Sequence, residues 1–409
     1  MYKRTRREKL IQLLRQRNEC SVNELANVLK VTRETIRTDL SWLQQHGIVV
    51  RHHGGASLKK HLMQNSLLED DGLNVSQLMQ SGDRQGLNYS FIESKSAMSG
   101  KVCILGSFNV DIVAKVERFP RDGETLVAKE ITFGPGGKGA NQALASHRAG
   151  AKTHFATKVG FDQFNKFARN HFDTVGIDSF TLYESEDKTT GSAMIYVNES
   201  GENIIAISPG ANHQINAEDI DSLTPFISDS DVFMVQMENN IDATICAMKR
   251  AHDLNVKTIL NPAPYTPDVE KLYQYSDILT PNESEAEQMA EMKISDIISA
   301  KDAASRIHNK SNCSVIITLG KQGALIFDGK SYTHVPSFPA VVVDTTGAGD
   351  AFNGALAAYL SKGKSLTESA IYASAYASLA VEKEGAANMP DDHSVQARVS
   401  SQKLTLQQI

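Results

Sequence analysis

Short apolar runs, separated by segments of helix length, recur from residue 101 onwards and constrain the fold more than any other feature of the sequence. The runs read K-V-C-I-L at 101, D-V-F-M-V at 231, V-K-T-I-L at 256 and S-V-I-I-T-L at 314. Apolar runs without alternation are typical of strands in a parallel sheet that is buried on both faces. The pattern therefore predicts an α/β fold in three layers, with a parallel sheet between two layers of helices.

Two stretches, roughly 111–133 and 191–208, break this rhythm and alternate apolar with polar residues. Such alternation is typical of strands with one exposed face. Within the second stretch, M194-I-Y-V-N-E-S-G-E-N-I-I-A-I207 predicts a hairpin that turns at Ser200-Gly201. Together the two stretches predict a small additional sheet, a β lid.

The first sixty residues differ from the rest of the chain in charge. They hold 13 Lys and Arg against 5 Asp and Glu, whereas the whole chain of 409 residues holds 42 against 48. A basic head on an acidic body suggests that only the head meets a polyanion. A solvated basic surface would give the same balance.

Helix signals divide this head into three short helices and a hairpin. The first helix is predicted over about 5–17, and the second opens at a capping box formed by Ser21 and Glu24. Thr32 can cap the third helix, and Gly47 would end it. The residues that follow, I-V-V-R-H-H-G-G-A, predict a strand, a glycine turn and a return strand.

Polar residues without an apolar period follow the hairpin. They predict a linker over 58–98, between a head over 1–57 and a body over 99–398. Because no run of 18 apolar residues occurs and no apolar segment follows the basic N-terminus, neither a transmembrane helix nor a secretory signal is expected. The four cysteines are scattered without a C-x-x-C pair, which predicts no zinc ribbon or disulfide framework. We therefore expect a cytoplasmic protein that does not bind membranes.

The stretch D344-T-T-G-A-G-D-A-F-N-G-A355 places one acid, Asp350, between glycines and the start of an apolar helix. Glycines before a helix let backbone N–H groups converge on an anion, and the helix dipole adds to their field. An acid beside such a pocket can take a proton from an attacking hydroxyl while the N–H groups hold a phosphoryl group in transfer. A plain helix N-cap is the alternative interpretation of Asp350.

A second glycine-rich stretch, F133-G-P-G-G-K-G-A-N-Q142, contains a literal G-x-G-x-x-G. It does not follow the first strand of a βαβ unit, so a dinucleotide site, and with it a dehydrogenase, is not expected. It is not a Walker A loop either, because Lys138 is followed by Gly and not by Ser or Thr. Bare glycines allow a polyol to lie close to the backbone, where Lys138 and Asn141 supply polar contacts.

The motifs of the body occur in an order that resembles the ribokinase-like family of carbohydrate kinases, over about residues 101–395. G106-S-F-N-V-D111 resembles its first-strand motif, G-G-K-G-A-N at 136–141 its first signature, and D-T-T-G-A-G-D-A-F-N-G at 344–354 its second. The stretch Pro281-Asn-Glu-Ser-Glu285 is similar to the N-x-x-E element, and T318-L-G-K-Q-G323 to the end of the nucleotide-loop strand. The resemblance implies a ribokinase-like three-layer sandwich with a small β lid, and an ATP-dependent sugar kinase.

The resemblance also implies roles for individual residues. Asp350 would be the general base on the terminal hydroxyl of the sugar, and the anion hole would be formed by Gly347, Ala348 and Gly349. The sugar hydroxyls would be held by Asn109, Asp111, Gly137, Lys138, Asn141 and Glu238. Asp111 and Glu238 could instead be turn residues, and Lys138 a solvated loop lysine.

A nucleotide and two metal ions are implied in the same way. ATP would be bound by Asn282, Thr318, Leu319, Gly320, Lys321, Gln322, Gly323 and Gly349. Mg²⁺ would be positioned by Asn282 and Glu285 through water, although both residues could merely cap a helix. An activating K⁺ would lie among Asp344, Thr346, Ala380, Lys383 and Gly385, partly through backbone carbonyls.

Ribose is the expected sugar, because Asn109, Asp111 and the full G-G-K-G-A-N look most like the ribokinases of this family. Asn261-Pro-Ala-Pro264 and the whole G-S-x-N-x-D pattern point the same way. Deoxyribose, fructose or a nucleoside would need only small changes in the same pocket. A sugar-sensing transcriptional regulator with little kinase turnover is the alternative from a different class.

The head resembles the N-terminal winged helix-turn-helix of DeoR-type repressors, over about residues 1–57. The resemblance is carried by Arg6, Leu10, Leu14, T32-R-E-T-I-R-T-D-L40 and R51-H-H-G-G-A56. The family usually has a basic or amide residue where Thr38 stands, which puts one DNA contact in doubt. The resemblance implies that the third helix enters the major groove, with DNA contacts from Arg33, Thr35 and Arg37 and, on the wing, from Arg51 and His52. A scaffold used only for protein contacts is the alternative.

Operator DNA is therefore an expected partner, and a homodimer, paired through the lid sheet, is expected on a two-fold operator. DeoR-type repressors normally carry a sugar-phosphate sensor after this head, and here a kinase stands in that place. We hypothesise that the body senses sugar, nucleotide or product and shifts the affinity of the head for its operator.

Overall fold

The structure, a computed structural model, describes residues 6, 9–10, 13–14, 19–45, 49–52, 55–58, 100–402 and 407–408. The chain divides into two compact units, 1–94 and 95–409. The predicted linker, apart from Leu58, lies outside the described residues, so the division into head, linker and body stays a prediction. Among the described residues, no helix is both long enough and apolar enough to cross a membrane.

The N-terminal unit contains the predicted elements and one further strand. In chain order these are β1 (Glu19–Ser21), α1 (Val22–Leu29), α2 (Arg33–Gln45), β2 (Val49–His52) and β3 (Gly55–Leu58). The described residues of the first predicted helix are helical, whereas Gly47 lies outside the described residues. β2 and β3 pair antiparallel as the predicted hairpin, and β1, which was not predicted, pairs with β3.

Side-chain caps fix where α1 and α2 begin. The Ser21 hydroxyl accepts a hydrogen bond from the Glu24 backbone N–H at 3.2 Å, and the Glu24 carboxylate accepts one from the Ser21 N–H at 2.8 Å. This pair confirms the predicted capping box. The Thr32 hydroxyl accepts from the Thr35 N–H at 3.2 Å, so α2 begins directly after Thr32, as predicted. Behind the helices lies a buried core that includes Leu10, Leu14, Leu25, Ile36, Leu40 and Leu43.

A ten-stranded sheet forms the centre of the C-terminal unit. Its strands are β4 (Lys101–Leu105), β7 (Lys152–Gly160), β8 (Ser179–Ser185), β11 (Val232–Val235), β12 (Lys257–Leu260), β13 (Ile278–Leu279), β14 (Ser314–Thr318), β15 (Ala324–Phe327), β16 (Tyr332–Val335) and β17 (Gln407–Gln408). The order is β17-β16-β15-β14-β13-β12-β11-β4-β7-β8. The seven neighbouring strands β14, β13, β12, β11, β4, β7 and β8 are parallel, as the apolar runs predict. The remaining strands, β15, β16 and β17, pair antiparallel at the other edge.

Helices cover both faces of this sheet, which confirms the predicted three layers. The helices are α3 (Lys138–Arg148), α4 (Gln163–Val175), α5 (Ala217–Ser228), α6 (Ile241–Asp253), α7 (Glu283–Ala290), α8 (Ile297–Ser311), α9 (Ala348–Ser361), α10 (Leu366–Ala380) and α11 (Asp392–Ser401). One buried core packs α3, α4, α9, α10 and α11 against one face of the sheet, through side chains such as Phe155 and Leu356. The other core packs α5, α6, α7 and α8 against the opposite face, through side chains such as Leu223 and Ile307.

The two alternating stretches form a separate four-stranded sheet, the predicted β lid. Its strands are β5 (Asn109–Lys115), β6 (Glu130–Gly136), β9 (Gly191–Val197) and β10 (Asn203–Ser208), in the order β10-β9-β5-β6. The β9–β10 hairpin turns where predicted, since Gly201 has a φ of +79° and its N–H donates to the Asn198 carbonyl at 3.0 Å. Because β5 begins four residues after β4 ends, the lid grows directly from the carboxyl edge of the main sheet.

Candidate active site and nucleic-acid interface

A close contact between two glycines sets α3 against the end of β4. Gly137 precedes α3 with a φ of +94°, a left-handed backbone that favours glycine. A Cβ on Gly139 would lie 2.5 Å from the backbone of Gly106, so a side chain there would push the helix away from the strand. The glycines of G-G-K-G-A-N therefore bring Lys138, Asn141 and Gln142 to the carboxyl edge of the sheet.

Asp350 reaches the same place from the start of α9. Gly347, with a φ of +76°, is the N-cap of α9, and Asp350 is its third residue. The alternative interpretation of Asp350 as an N-cap is therefore wrong. Its side chain points into the unit, where Oδ2 accepts from Asn141 Nδ2 at 3.0 Å and Oδ1 from Gln142 Nε2 at 2.9 Å. Both predicted glycine motifs thus meet at one carboxylate.

Burial and nearby charges act in opposite directions on this carboxylate. Burial raises the pKa of Asp350, and the Lys138 ammonium and the two amide donors lower it, but burial outweighs them. For Lys138, burial alone would lower the pKa, yet the carboxylates of Asp350, Glu238 and Glu285 raise it above its usual value. A raised pKa keeps a base near the range in which it can accept a proton at neutral pH. Lys138 stays a cation and is half-buried among these carboxylates, which disfavours the solvated loop lysine of the alternative interpretation.

Of the residues predicted to hold sugar hydroxyls, Asn141 bonds this carboxylate, and Lys138 and Glu238 lie close enough to shift its pKa. Asn109 and Asp111 lie at the start of β5, in the lid. The Glu238 carboxylate accepts from the Lys138 backbone N–H at 3.1 Å and from the Ser107 hydroxyl, so it anchors the glycine loop. Asn109 Oδ1 accepts from Asn212 Nδ2 at 2.9 Å. Burial, together with the charge of Glu238, raises the pKa of Asp111 to about 6. Several acids and amides therefore converge at the base of the lid, as a polyol site requires.

A cavity of about 810 Å³ opens beside the start of α9. Of the residues predicted to bind ATP, Asn282, Thr318, Leu319, Gly320, Lys321, Gly323 and Gly349 line it. Among the described residues Gln322 does not line this cavity, and its carbonyl accepts from His334 Nε2 at 2.7 Å. A Cβ placed on Gly349 would meet nothing within 4 Å, so the cavity reaches the loop of the predicted anion hole, Gly347 to Gly349, which we call the anion loop. The apolar part of its wall, which includes Phe338, Val342, Ala377 and Val381, was not predicted.

Asn282 and Glu285 form a capping box at the start of α7, as the alternative interpretation of this pair expects. The Asn282 side chain accepts from the Glu285 N–H at 2.8 Å, and the Glu285 carboxylate accepts from the Asn282 N–H at 2.9 Å. Burial raises the pKa of Glu285 and outweighs the charge of Lys138, which lowers it; the charge of Asp350 raises it further. Within the residues that the structure describes, no three acidic, His or Cys side chains cluster as a metal cage. One amide and one carboxylate fit Mg²⁺, which usually keeps several waters and shares phosphate ligands.

The residues implied for K⁺ lie on two adjoining turns. Asp344 Oδ1 accepts from the Thr346 N–H and hydroxyl at 2.8 and 2.7 Å, and Asp344 Oδ2 accepts from the Gly385 N–H at 2.9 Å. These bonds outweigh partial burial and lower the pKa of Asp344. Lys383 N–H donates to the Ala380 carbonyl at 3.2 Å. A carboxylate and several carbonyl oxygens on two joined turns are ligands that fit a hard monovalent cation.

No role in the site was predicted for four of its polar residues: Ser107, Gln142, Gln236 and Asn261. Gln142 lies in the quoted G-G-K-G-A-N-Q stretch, one residue beyond Asn141. Its position one residue after a predicted contact was the only signal that could have found it. Asn261 and Gln236 follow buried strands, where an amide ending an apolar run is the corresponding signal.

In the N-terminal unit, the predicted DNA contacts lie at the start of α2. Arg33 and Arg37 are exposed, whereas Thr35 is half-buried and its hydroxyl lies 2.8 Å from that of Thr32. Arg37 also pairs with Glu34 at 3.3 Å. Arg51 and His52 are the last two residues of β2, in the predicted wing. The first two turns of α2 thus present two exposed cations, Arg33 and Arg37, as a recognition helix does.

Comparison with known proteins covers both units. The model of the pfkB family carbohydrate kinases matches residues 99–393, and that of the DeoR-like helix-turn-helix domain matches residues 6–61. Over 292 residues the chain is 38% identical to a ribokinase of Staphylococcus aureus, an alignment that spans 71% of this chain and 96% of that one. It is 39% identical over 290 residues to a bifunctional ribokinase/ribose-5-phosphate isomerase A of Fructilactobacillus sanfranciscensis, covering 70% of this chain and 54% of that protein. An Arabidopsis thaliana ribokinase complexed with ribose and ATP superposes with a TM-score of 0.67 at 31% identity, over 74% of this chain and 99% of the other.

The chain belongs to the pfkB family of carbohydrate kinases. It joins this kinase to an N-terminal DeoR-like helix-turn-helix domain, so both predicted resemblances are confirmed. The ribokinase-like α/β fold with its lid is confirmed as well.

Proposed function

We propose that the C-terminal unit is an ATP-dependent ribokinase and that the N-terminal unit is a DNA-binding transcriptional regulator. The observation that carries the kinase is the convergence of Asp350, Lys138 and Glu238 at the base of the lid, beside a cavity that reaches the anion loop. Ribokinases aligned over nearly their whole length support ribose as the sugar. The products would be ribose 5-phosphate and ADP.

The proposed reaction needs one proton transfer and one displacement at phosphorus. Asp350 accepts the proton of the terminal sugar hydroxyl while that oxygen forms a bond to the γ-phosphorus of ATP. The bond from γ-phosphorus to the β–γ bridging oxygen breaks, and ADP leaves with its electron pair. Backbone N–H groups of Gly347 and Gly349, at the start of α9, would face the charge on the transferring group. The N–H of Ala348 donates to the Thr345 carbonyl at 3.2 Å in this structure and would have to leave that bond to join them. Asn109, Asp111, Gly137, Lys138, Asn141 and Glu238 would hold the sugar.

The nucleotide and its ions have matching residues in the same unit. Asn282 and Glu285 would hold Mg²⁺ through water, and bound Mg²⁺ neutralises phosphate charge. The adenine ring would pack against the apolar wall formed by Phe338, Val342 and Val381. K⁺ would lie among the two turns that Asp344 joins, next to the anion loop.

Turnover of ATP by purified protein with ribose, deoxyribose and fructose, in the presence of Mg²⁺ and K⁺, tests this proposal. Turnover is expected to be highest with ribose. A site built to hydrogen-bond a hydroxyl rejects an analogue that lacks it, so deoxyribose is expected to be the poorer pentose. If no sugar is phosphorylated but sugar still binds, the sensor with little turnover becomes the better description. If the protein prefers deoxyribose or fructose, the proposed substrate changes from ribose to that sugar, and the proposed kinase activity stands.

Asp111→Asn is expected to weaken ribose binding and stabilise the fold. The folded pKa of about 6 lies above the ordinary value of 3.8, so the ionised carboxylate disfavours folding at pH 8. The variant should be more stable there by on the order of 1–3 kcal/mol. This difference should shrink as pH falls through about 6 and vanish below 3.8.

Calorimetric titration with ribose and thermal unfolding at pH 8 and pH 4 measure the two effects of Asp111→Asn. Ribose affinity should fall roughly tenfold or more, because a charged acceptor of sugar hydroxyls is lost. Asp122→Asn, at an exposed position, is the matched control and should change neither quantity. Wild-type ribose affinity in Asp111→Asn would remove Asp111 from the sugar site.

A homodimer through the lid is a further part of the proposal. Large apolar side chains lie exposed on the lid strands: Ile131, Phe133, Met194, Ile204, Ile205 and Ile207. The strand register places Ile131, Phe133, Met194 and Ile204 on one face of the lid and Ile205 and Ile207 on the other. Exposed apolar side chains that share a sheet face are typical of protein interfaces. A second copy of the same lid is the partner that would bury equivalent residues on both sides.

Ile204→Glu combined with Ile207→Glu is expected to convert the dimer to a monomer. Both side chains are more than half exposed on β10, and burying two carboxylates in an interface is unfavourable. Sedimentation velocity measures the mass. Ile298→Glu is the control, because Ile298 is 68% exposed but lies on α8, away from the lid. A wild-type protein that sediments as a monomer would disprove the lid dimer.

A further inference from the structure

Three buried amide side chains connect Asp350 to the main sheet. Gln142 is 0% exposed, Gln236 1% and Asn261 5%. Gln142 Nε2 donates to Asp350 Oδ1 at 2.9 Å and to Asn261 Oδ1 at 3.0 Å, and Gln142 Oε1 accepts from Gln236 Nε2 at 2.6 Å. Asn261 Nδ2 donates in turn to the Thr280 carbonyl at 3.1 Å. The network thus runs from the carboxylate to the ends of β11, β12 and β13.

This pattern fixes which end of the Gln142 amide faces Asp350. A side-chain amide has one accepting end and one donating end. The Thr280 carbonyl can only accept, so the Asn261 amide turns its NH₂ to Thr280 and its oxygen to Gln142. The Asp350 carboxylate also accepts, so the nitrogen of Gln142 must face both oxygens. A reversed Gln142 amide would place its oxygen against these two oxygens. Such buried polar groups without partners are costly, so the network allows one orientation.

We propose that Gln142 is a positioning residue for the general base: it holds the carboxylate of Asp350 in one orientation, while Gln236 and Asn261 hold Gln142. The inference rests on the proposed kinase function. Gln142 is fully buried, so it acts through Asp350 and does not touch the sugar. Asn141 Nδ2 holds the other oxygen, Oδ2, at 3.0 Å, so rotation of the carboxylate would break two hydrogen bonds. Because the carboxylate of Asp350 is already oriented before the sugar binds, it loses little conformational entropy when the hydroxyl reaches it.

The network also bears on the proton that Asp350 must accept. Burial raises the pKa of Asp350, and the hydrogen bonds from Gln142 and Asn141 counter this rise. Removing the Gln142 donor therefore raises the pKa of Asp350 further. Because the base must be deprotonated to act, the acidic limb of the pH profile of kcat/KM for the sugar would then move to higher pH.

Gln142→Met is the direct test, since methionine keeps the length of the side chain and removes its hydrogen bonds. We expect kcat with ribose to fall roughly 10- to 100-fold, the loss that matches one hydrogen bond to a charged group. The KM for ATP should stay at its wild-type value, and the acidic limb should move to higher pH. Gln288→Met, at an exposed position on α7, is the control and should match the wild type in all three. Gln236→Met, which leaves the Gln142–Asp350 bond in place, should have a smaller effect.

A purely structural role would lower the melting temperature of Gln142→Met and leave the acidic limb in place, and that result overturns the inference. If Gln142→Met does not fold, Gln142→Glu decides. It keeps the shape and the acceptor for Gln236 but faces Asp350 with a carboxylate, so the limb should again move to higher pH. If the wild type phosphorylates no sugar, the proposed function fails and this inference with it. If the wild type is active and the variants share its pH profile, only the inference fails.

Discussion

Asp350→Asn is expected to lower kcat for ribose phosphorylation by roughly 10²- to 10⁴-fold, the usual contribution of a positioned general base. Asparagine keeps the size of the side chain but cannot take the proton of the sugar hydroxyl. The other proposed contacts of the sugar, at Glu238 and Asp111, and the cavity proposed for the nucleotide remain. Ribose and ATP should therefore still bind, with dissociation constants close to those of the wild type.

Steady-state kinetics and calorimetric titration of the same preparations measure this separation. One local conflict is expected, because Asn141 and Gln142 both donate to Asp350, and the amide introduced by the substitution can accept from only one of them. Ribose affinity can therefore shift modestly without any role in catalysis. Asp302→Asn, an exposed acid on α8, is the matched control for removal of one charge and should keep full activity. A fully active Asp350→Asn would exclude Asp350 as the base and require another acceptor for the proton.

The main features of the fold could be predicted because each leaves a local signal. Buried parallel strands appear as apolar runs, lid strands as alternation, and the start of α1 as the capping box at Ser21. The strand β1 was not predicted, since its three residues show no period and its pairing with β3 joins residues 34 to 38 positions apart. Pairing at such a distance depends on the tertiary fold and not on local sequence.

The site divides in the same way. Glycines were informative because close approach and left-handed backbone at Gly137, Gly139 and Gly347 tolerate little else. The apolar wall of the cavity proposed for the nucleotide could not be predicted, because Phe338 and Val342 belong to a loop in which apolar residues form no motif. Gln142 is similar: within a helix, a buried amide looks like any other helix-forming residue until its partners, Asp350 and Asn261, are placed beside it.

Arg33→Ala combined with Arg37→Ala is expected to weaken binding of the full-length protein to its DNA site by roughly 100-fold or more. Each arginine that reads a base edge contributes about 1–3 kcal/mol of discrimination. The ion pair between Arg37 and Glu34 does not prevent the guanidinium from contacting DNA, because both side chains are mostly exposed and such pairs contribute roughly 0–1 kcal/mol. Thr35 is half-buried and already engaged with Thr32, so its substitution should have a smaller effect.

A duplex selected by the wild-type protein from a random library is the probe, with binding followed by fluorescence anisotropy at several salt concentrations. If the arginines read bases, the variant should lose preference for the selected duplex over a scrambled one. If they contact only phosphates, both duplexes should weaken alike and the slope of log K against log salt should fall by about one per contact. Arg121→Ala, an exposed arginine of the kinase unit, is the control and should bind as the wild type does. ATP turnover of the double variant should stay at the wild-type value, because its base lies in the other unit; unchanged DNA binding would instead favour the head as a scaffold for protein contacts.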